Sequence, residues 1–224
     1  MIGTPRVHHR LTDSTSERAK ELALAGAPHG TLVTADEQSA GRGRQGRVWT
    51  APPRTAVLMS VVLRDDLTEV LPLSAAVAVC DSLPVTATIK WPNDVWIERR
   101  KVAGILVEGR PQEGWAVLGV GVNVTTESFP PDLEATATSL RLVGAPAATE
   151  DVLRDLLRAL DEWLLAPPGR VLDAWRARDA LKGERVRWVG GEGIAGGIDD
   201  SGALVVETSN GRVTLAAGEV HLER

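Results

Sequence analysis

Tyrosine is absent from the 224 residues, and phenylalanine and cysteine occur once each. The single thiol, Cys80, can build neither an internal disulfide framework nor a zinc site. Its neighbours Val77, Ala78 and Val79 mark it as a small buried hydrophobe. No apolar run is long enough to span a bilayer, and the first residues lack the basic, apolar and small-residue order of a signal peptide. No membrane partner is expected, and a cytoplasmic address is. A basic excess is missing as well: the net charge of -5 argues against DNA as a partner.

What is present is enough for a large core. With 43% hydrophobic residues, the chain can form one main domain and a small second one. Positive charge is local: residues 37–54 set Arg42, Arg44, Arg47 and Arg54 against the single carboxylate of Glu37. That pattern suits one small anionic ligand better than a polymer.

Asp13-Ser14-Thr15 reads as the cap of a helix over residues 16–25, which Gly26 and Pro28 end. Spare hydroxyls and N–H groups there can also hold a polar ligand. Strands are expected over 31–36, 57–63, 85–90 and 115–124. A hairpin is expected from 95–97 and 102–108, with Lys101 in the charged turn between them. Helices are expected over 71–82, 150–165 and 170–181, with an irregular connection at 125–148. Short β runs at 185–189, 194–198, 204–208 and 212–215, separated by glycine-rich turns, predict a small β barrel. The fold class is therefore α+β, a mixed sheet flanked by helices over 1–181 followed by a small β unit over 182–224.

Three clusters carry chemistry. Gly41-Arg42-Gly43-Arg44-Gln45-Gly46-Arg47 puts three guanidinium groups on a glycine-rich loop that can approach and fork onto an anion. Its glycine spacing is that of a phosphate-binding Walker A loop, but Arg47-Val48 stands where lysine and a hydroxyl should follow. It is an arginine clamp, expected to be mobile without ligand because like charges and glycines oppose a fixed conformation. Lys90-Trp91-Pro92-Asn93-Asp94 ends a strand, and Lys101 precedes the apolar run Val102 to Val107, which aims its ammonium from the rim of a buried strand.

Gln38 to Trp49, Lys90 to Asp94, Lys101 to Glu108 and Gly119-Val120-Gly121-Val122-Asn123 resemble, in order and spacing, the signature blocks of biotin protein ligases. Asp13-Ser14-Thr15 resembles the family's opening block, and the tail its SH3-like C-terminal domain. The resemblance implies a class II synthetase-like catalytic domain and two steps. Biotin and MgATP give biotinyl-5'-AMP and pyrophosphate, and a lysine of a biotin carboxyl carrier domain then attacks the acyl phosphate. It implies a biotin site from Ser14, Thr15, Ser16, Gln38, Gly41, Arg42, Gly43, Arg44, Lys101, Gly104 and Ile105. The nucleotide would meet Arg42, Arg44, Trp49, Trp91, Asn93, Lys101 and Asn123, with Trp49 stacking on adenine. Arg42, Lys101 and Asp94 are the implied catalytic residues, Asp94 orienting or deprotonating the incoming lysine.

The family includes monomers and homodimers, and the metal ligands cannot be assigned. This chain reads Arg54-Thr55-Ala56 where many members have a glycine-asparagine step. It reaches the opening block by residue 13, so an operator-binding segment is not expected. Two other readings stand beside this one: a lipoate or octanoate ligase or transferase, and a non-catalytic biotin or nucleotide sensor.

Overall fold

The computed structural model describes residues 1–64 and 67–222. Asp65 and Asp66 of the expected 1–181 unit, and Glu223 and Arg224 of the expected 182–224 unit, lie outside the described residues. Strand β1 (Arg6–His9) leads through helix α1 (Thr15–Leu24) to strand β2 (Leu32–Ala35), and β1 and β2 pair in parallel. A crossover helix makes this parallel step possible. The other strands of the first sheet pair antiparallel: β3 (Ala56–Arg64), β4 (Thr88–Lys90), β5 (Asp94–Ile97), β6 (Arg100–Arg110) and β7 (Trp115–Asn123). Their order across the sheet is β1-β2-β3-β7-β6-β5-β4.

Helices cover both faces of this sheet, and strand alternation decides which residue meets which helix. Ala19 and Ala23 of α1 pack on Val33, Val62 and Val117. The alternate residues Leu32, Val61 and Leu118 join a core on the other face with α2 (Leu71–Ser82), α3 (Thr149–Trp163) and α4 (Pro168–Arg176). Ten of the twelve residues of α2 are buried, which matches its apolar sequence on every side. The amphipathic α3 buries Val152, Leu153, Leu156, Leu160 and Trp163. Among the described residues, no helix is long and apolar enough to cross a membrane.

The C-terminal strands β8 (Arg185–Trp188), β9 (Gly191–Ile198), β10 (Leu204–Thr208), β11 (Gly211–Leu215) and β12 (His221–Leu222) form one antiparallel sheet in the order β11-β10-β9-β8-β12. The expected small β barrel is formed, among the described residues, by this five-stranded antiparallel sheet. Its inner residues Val186, Ala195, Leu204, Val206 and Val220 belong to the same core as α2 and α4. The small unit thus shares its core with the first.

The structure adds one strand and moves one residue. Strand β1 has a polar sequence and exposed residues, so no apolar alternation announces it; its pairing with β2 defines it. Lys101 lies in β6 and not in a turn, because the β5–β6 hairpin turns on two residues, Glu98 and Arg99, with φ of 50° and 61°. Those positive angles match the right-handed twist of the flanking strands.

Cys80 is buried, and burial pushes its thiol up to about 12. A disulfide reagent at pH 8 should leave Cys80 unreacted in the native protein and titrate it fully in denaturant. Rapid reaction in the native state would show that α2 opens readily.

Candidate functional site

The site is a gap in the covering of the sheet. Rows of paired residues cross β3, β7 and β6 on the face that α1 covers: Val62–Val117–Glu108, Ser60–Gly119–Leu106 and Leu58–Gly121–Gly104. Helix α1 fills the space above the first row, whereas serine and glycines leave the next two rows hollow. The result is a cavity of about 790 Å³. Thr15 and Ser16 of α1 line it at one end, with Gln38 and Leu58, Met59, Ile105 and Val120 beside them; Lys90, Asn93, Asp94, Lys101 and Asn123 line it further along. The N-terminus of a helix thus meets an apolar trough that ends among charged groups.

At the helix end, Ser14 holds the N-cap backbone position, but its hydroxyl makes no capping bond. Ser14 Oγ is buried and has no hydrogen-bond partner among the described residues. Gln38 takes over part of the capping duty: its Oε1 accepts from Thr15 N at 2.7 Å and from Thr15 Oγ1 at 3.0 Å. Asp13 turns outward, and the Ser14 N–H at 2.6 Å, assisted by Thr12 and Arg18, holds its carboxyl below the usual carboxylate range. The expected cap is therefore replaced by a long-range contact, and the Ser14 hydroxyl, expected in the site, is left without a partner among the described residues and off the cavity wall.

The arginine loop is folded here. Gly43 N donates to Arg47 O at 2.8 Å and Trp49 N to Gly41 O at 2.9 Å, around a tight turn at Arg44–Gly46. Trp49 lies across the trough: a Cβ on Gly121 would stand 2.5 Å from its Cε2, and one on Gly104 would stand 3.0 Å from its Cζ3. Lys101 Nζ sits 5.5 Å from the centre of the same indole. The buried Trp49 Nε1 has no partner among the described residues. Trp49 lines the cavity, so this is a polar atom that a ligand can satisfy.

The charges are paired. Lys101 Nζ lies 2.6 Å from Asp94 Oδ1. Arg42 meets Glu17 at 2.5 Å and Glu108 at 3.2 Å, and Lys20 bridges the same carboxylates at 3.1 and 3.0 Å. An anion entering the trough would have to draw Arg42 away from them. Arg44 reaches Asn93 Oδ1 at 3.4 Å, and Arg47 pairs with Glu219 of the C-terminal unit. Burial drives the Lys90 ammonium below the ordinary lysine range; Asp94 opposes the shift and Lys101 adds to it. The Asn93 and Asn123 amides donate to Ile105 O at 2.6 Å and Thr138 O at 3.0 Å, which fixes both side chains.

Of the expected site residues, Thr15, Ser16, Gln38, Arg42, Gly43, Arg44, Trp49, Asn93, Asp94, Lys101, Gly104, Ile105 and Asn123 share this cavity wall. Gly41 stands behind it, since a Cβ there would meet Trp49 O at 2.3 Å and Gln38 Nε2 at 2.7 Å. Trp91 does not reach it. Lys90 and Pro92 face the cavity, so the residue between them faces the core, where Trp91 is 2% exposed and its Nε1 donates to Gly202 O at 3.1 Å. The sequence reading missed Met59, Glu219 and His221, all on the wall, and gave no role to Lys90, which is there too. Only Lys90 had a local signal, its place beside Asn93 and Asp94.

Residues 8–124 match the Biotin/lipoate A/B protein ligase family, and residues 183–222 match the Biotin protein ligase C terminal domain. The biotin--[acetyl-CoA-carboxylase] ligase of Mycobacterium tuberculosis is 37% identical over 232 residues, covering 93% of this chain and 85% of the relative. The bifunctional ligase/repressor BirA of Bacillus subtilis is 35% identical over 244 residues, 99% of this chain and 75% of the relative. In structure, the biotin protein ligase from Aquifex aeolicus in complex with biotin and ATP superposes with a TM-score of 0.86 at 27% identity, covering 99% of both chains. The hollow sheet face, the arginine loop and the paired lysine and aspartate thus stand in a chain that belongs to the biotin/lipoate A/B protein ligase family.

Proposed function

We propose that this chain is a biotin protein ligase. It makes biotinyl-5'-AMP from biotin and ATP and passes the biotinyl group to a lysine of a biotin carboxyl carrier domain. The observation that carries the reading is one cavity holding a polar head site at Thr15, Ser16 and Gln38, an apolar trough, and the Lys101–Asp94 pair among arginines. A cyclic urea is neutral and polar, a thioether ring with an alkyl arm is apolar, and a carboxylate is charged. The three zones follow that sequence of chemistry.

In the first step the biotin carboxylate oxygen attacks the α-phosphorus, the bond to the β-phosphate bridge breaks, and pyrophosphate leaves. Two anions must approach each other. Lys101, with Arg42 and Arg44 of the loop, supplies positive charge where negative charge accumulates in the transition state. Trp49 offers its ring and free N–H, and Asn123 its carbonyl oxygen, to the nucleotide base. In the second step the neutral carrier lysine attacks the acyl carbon, the bond to the phosphate oxygen breaks, and AMP leaves. Asp94 would orient the amine or take its proton.

Among the described residues, no group of three His, Cys, Asp or Glu side chains could hold a metal. Mg²⁺ commonly binds through substrate phosphates, waters and one or two carboxylates, so it enters this reading as MgATP, with Asp94, Glu98 and Glu219 the carboxylates on the wall. Residues 1–181 would form the catalytic unit, and 182–224 the unit that brings Glu219 to the mouth of the site.

Pyrophosphate release from MgATP should depend on biotin and not on lipoate or octanoate. Release with lipoate or octanoate instead would move the chain to that branch of the family. Biotin binding with no release would make it a sensor. Lys101→Met should lower the adenylation kcat by roughly 100-fold with a smaller change in biotin affinity. An unchanged kcat would remove Lys101 from the chemistry.

A further inference from the structure

Ser60 lies in the middle of β3 among apolar neighbours and is fully buried. It does not line the cavity, yet it is bonded to two residues that do. Ser16 Oγ lies 3.1 Å from Ser60 Oγ, and Ser60 Oγ donates to Thr15 Oγ1 at 2.9 Å. Thr15 Oγ1 then donates to Gln38 Oε1 at 3.0 Å. Gly119 opposite Ser60 makes room for the pair, since a Cβ there would stand 2.8 Å from Ser16 Oγ.

Each hydroxyl has one proton, and the count sets a direction. The Thr15 proton goes to Gln38 and the Ser60 proton to Thr15, so the remaining Ser16–Ser60 bond must use the Ser16 proton. All three protons run toward Gln38 Oε1, which also receives the Thr15 N–H. With that oxygen doubly engaged, Gln38 can offer the cavity only its Nε2 donor. Thr15 and Ser16 can offer only lone pairs.

We propose that Ser60 is a positioning residue that fixes this polarity and so selects a ligand head carrying N–H donors beside a carbonyl acceptor. The inference rests on the reading of the cavity as a biotin site. Without the Ser60 hydroxyl, Ser16 loses its acceptor and is free to turn its proton toward the cavity, where it would oppose a ligand N–H. Thr15 also loses the donor that holds its rotor. A fixed chain needs no reorganisation when the ligand arrives, whereas a free one does.

The test is steady-state pyrophosphate release by the full chain with biotin and MgATP as probes. Ser60→Ala should raise the KM for biotin about tenfold, leaving the KM for ATP and the kcat within about twofold. Ser82→Ala serves as the control. Its buried hydroxyl donates to Val79 O in α2, away from the cavity, and it should leave the KM for biotin unchanged. If Ser60→Ala fails to fold, Ser60→Cys, close in size and a weaker donor, carries the same expectation with a smaller shift. An unchanged KM for biotin in a folded Ser60 variant overturns the role of Ser60. Equal loss for biotin and ATP assigns it to general packing and also overturns it. Silence of the unaltered chain with biotin refutes the reading of the site, and the inference falls with it.

Discussion

Gly104, Gly119 and Gly121 stand on one face of the central sheet, where a side chain would strike Lys101, Ser16 or Trp49, and the rest of the site depends on that missing volume. A sheet covered by helices normally fills every inward position, because an empty one forfeits packing. Here α1 fills the Val62–Val117 row and ends. The rows beyond its N-terminus carry Ser60, Gly119, Gly121 and Gly104, and Thr15 and Ser16 at the helix end line the trough. One geometric decision therefore produces both the apolar wall and the polar head site.

The charged end obeys a second constraint. Arg42, Arg44, Arg47, Lys90 and Lys101 crowd one rim, a cluster that would repel itself without counter-charges. Asp94, Glu108, Glu17 and Glu219 supply them, each from a different element. These pairs tie the loop to α1, β6 and the C-terminal unit, and Lys101 to β5. A preformed, partly shielded site of this kind keeps the reorganisation required during reaction small.

The C-terminal sheet belongs to the same arrangement. It shares its core with α2 and α4, receives the Trp91 indole through Gly202, and sends Glu219 back to the arginine loop. Loop, cavity wall and tail are thereby coupled by direct contact, and a description of the site confined to the first 181 residues would omit part of its rim.

Much of this was legible in the chain. Helices α2 and α3 and strands β3 and β7 follow from apolar runs and periodicity, which are local properties. The arginine loop, Lys101, Asp94 and the glycine pair of β7 were visible as residue types at fixed spacing. Register decided the rest. It turned Trp91 into the core between two cavity-facing neighbours, gave the polar β1 a partner, and joined the core of the last sheet to that of the first unit. It also joined Ser60 to Thr15, 45 residues away in sequence. A local pattern records which way the backbone prefers to run and which side chains avoid water. It does not record which distant hydroxyl or carboxylate will stand within three ångströms, because that distance is set only when the strands have paired.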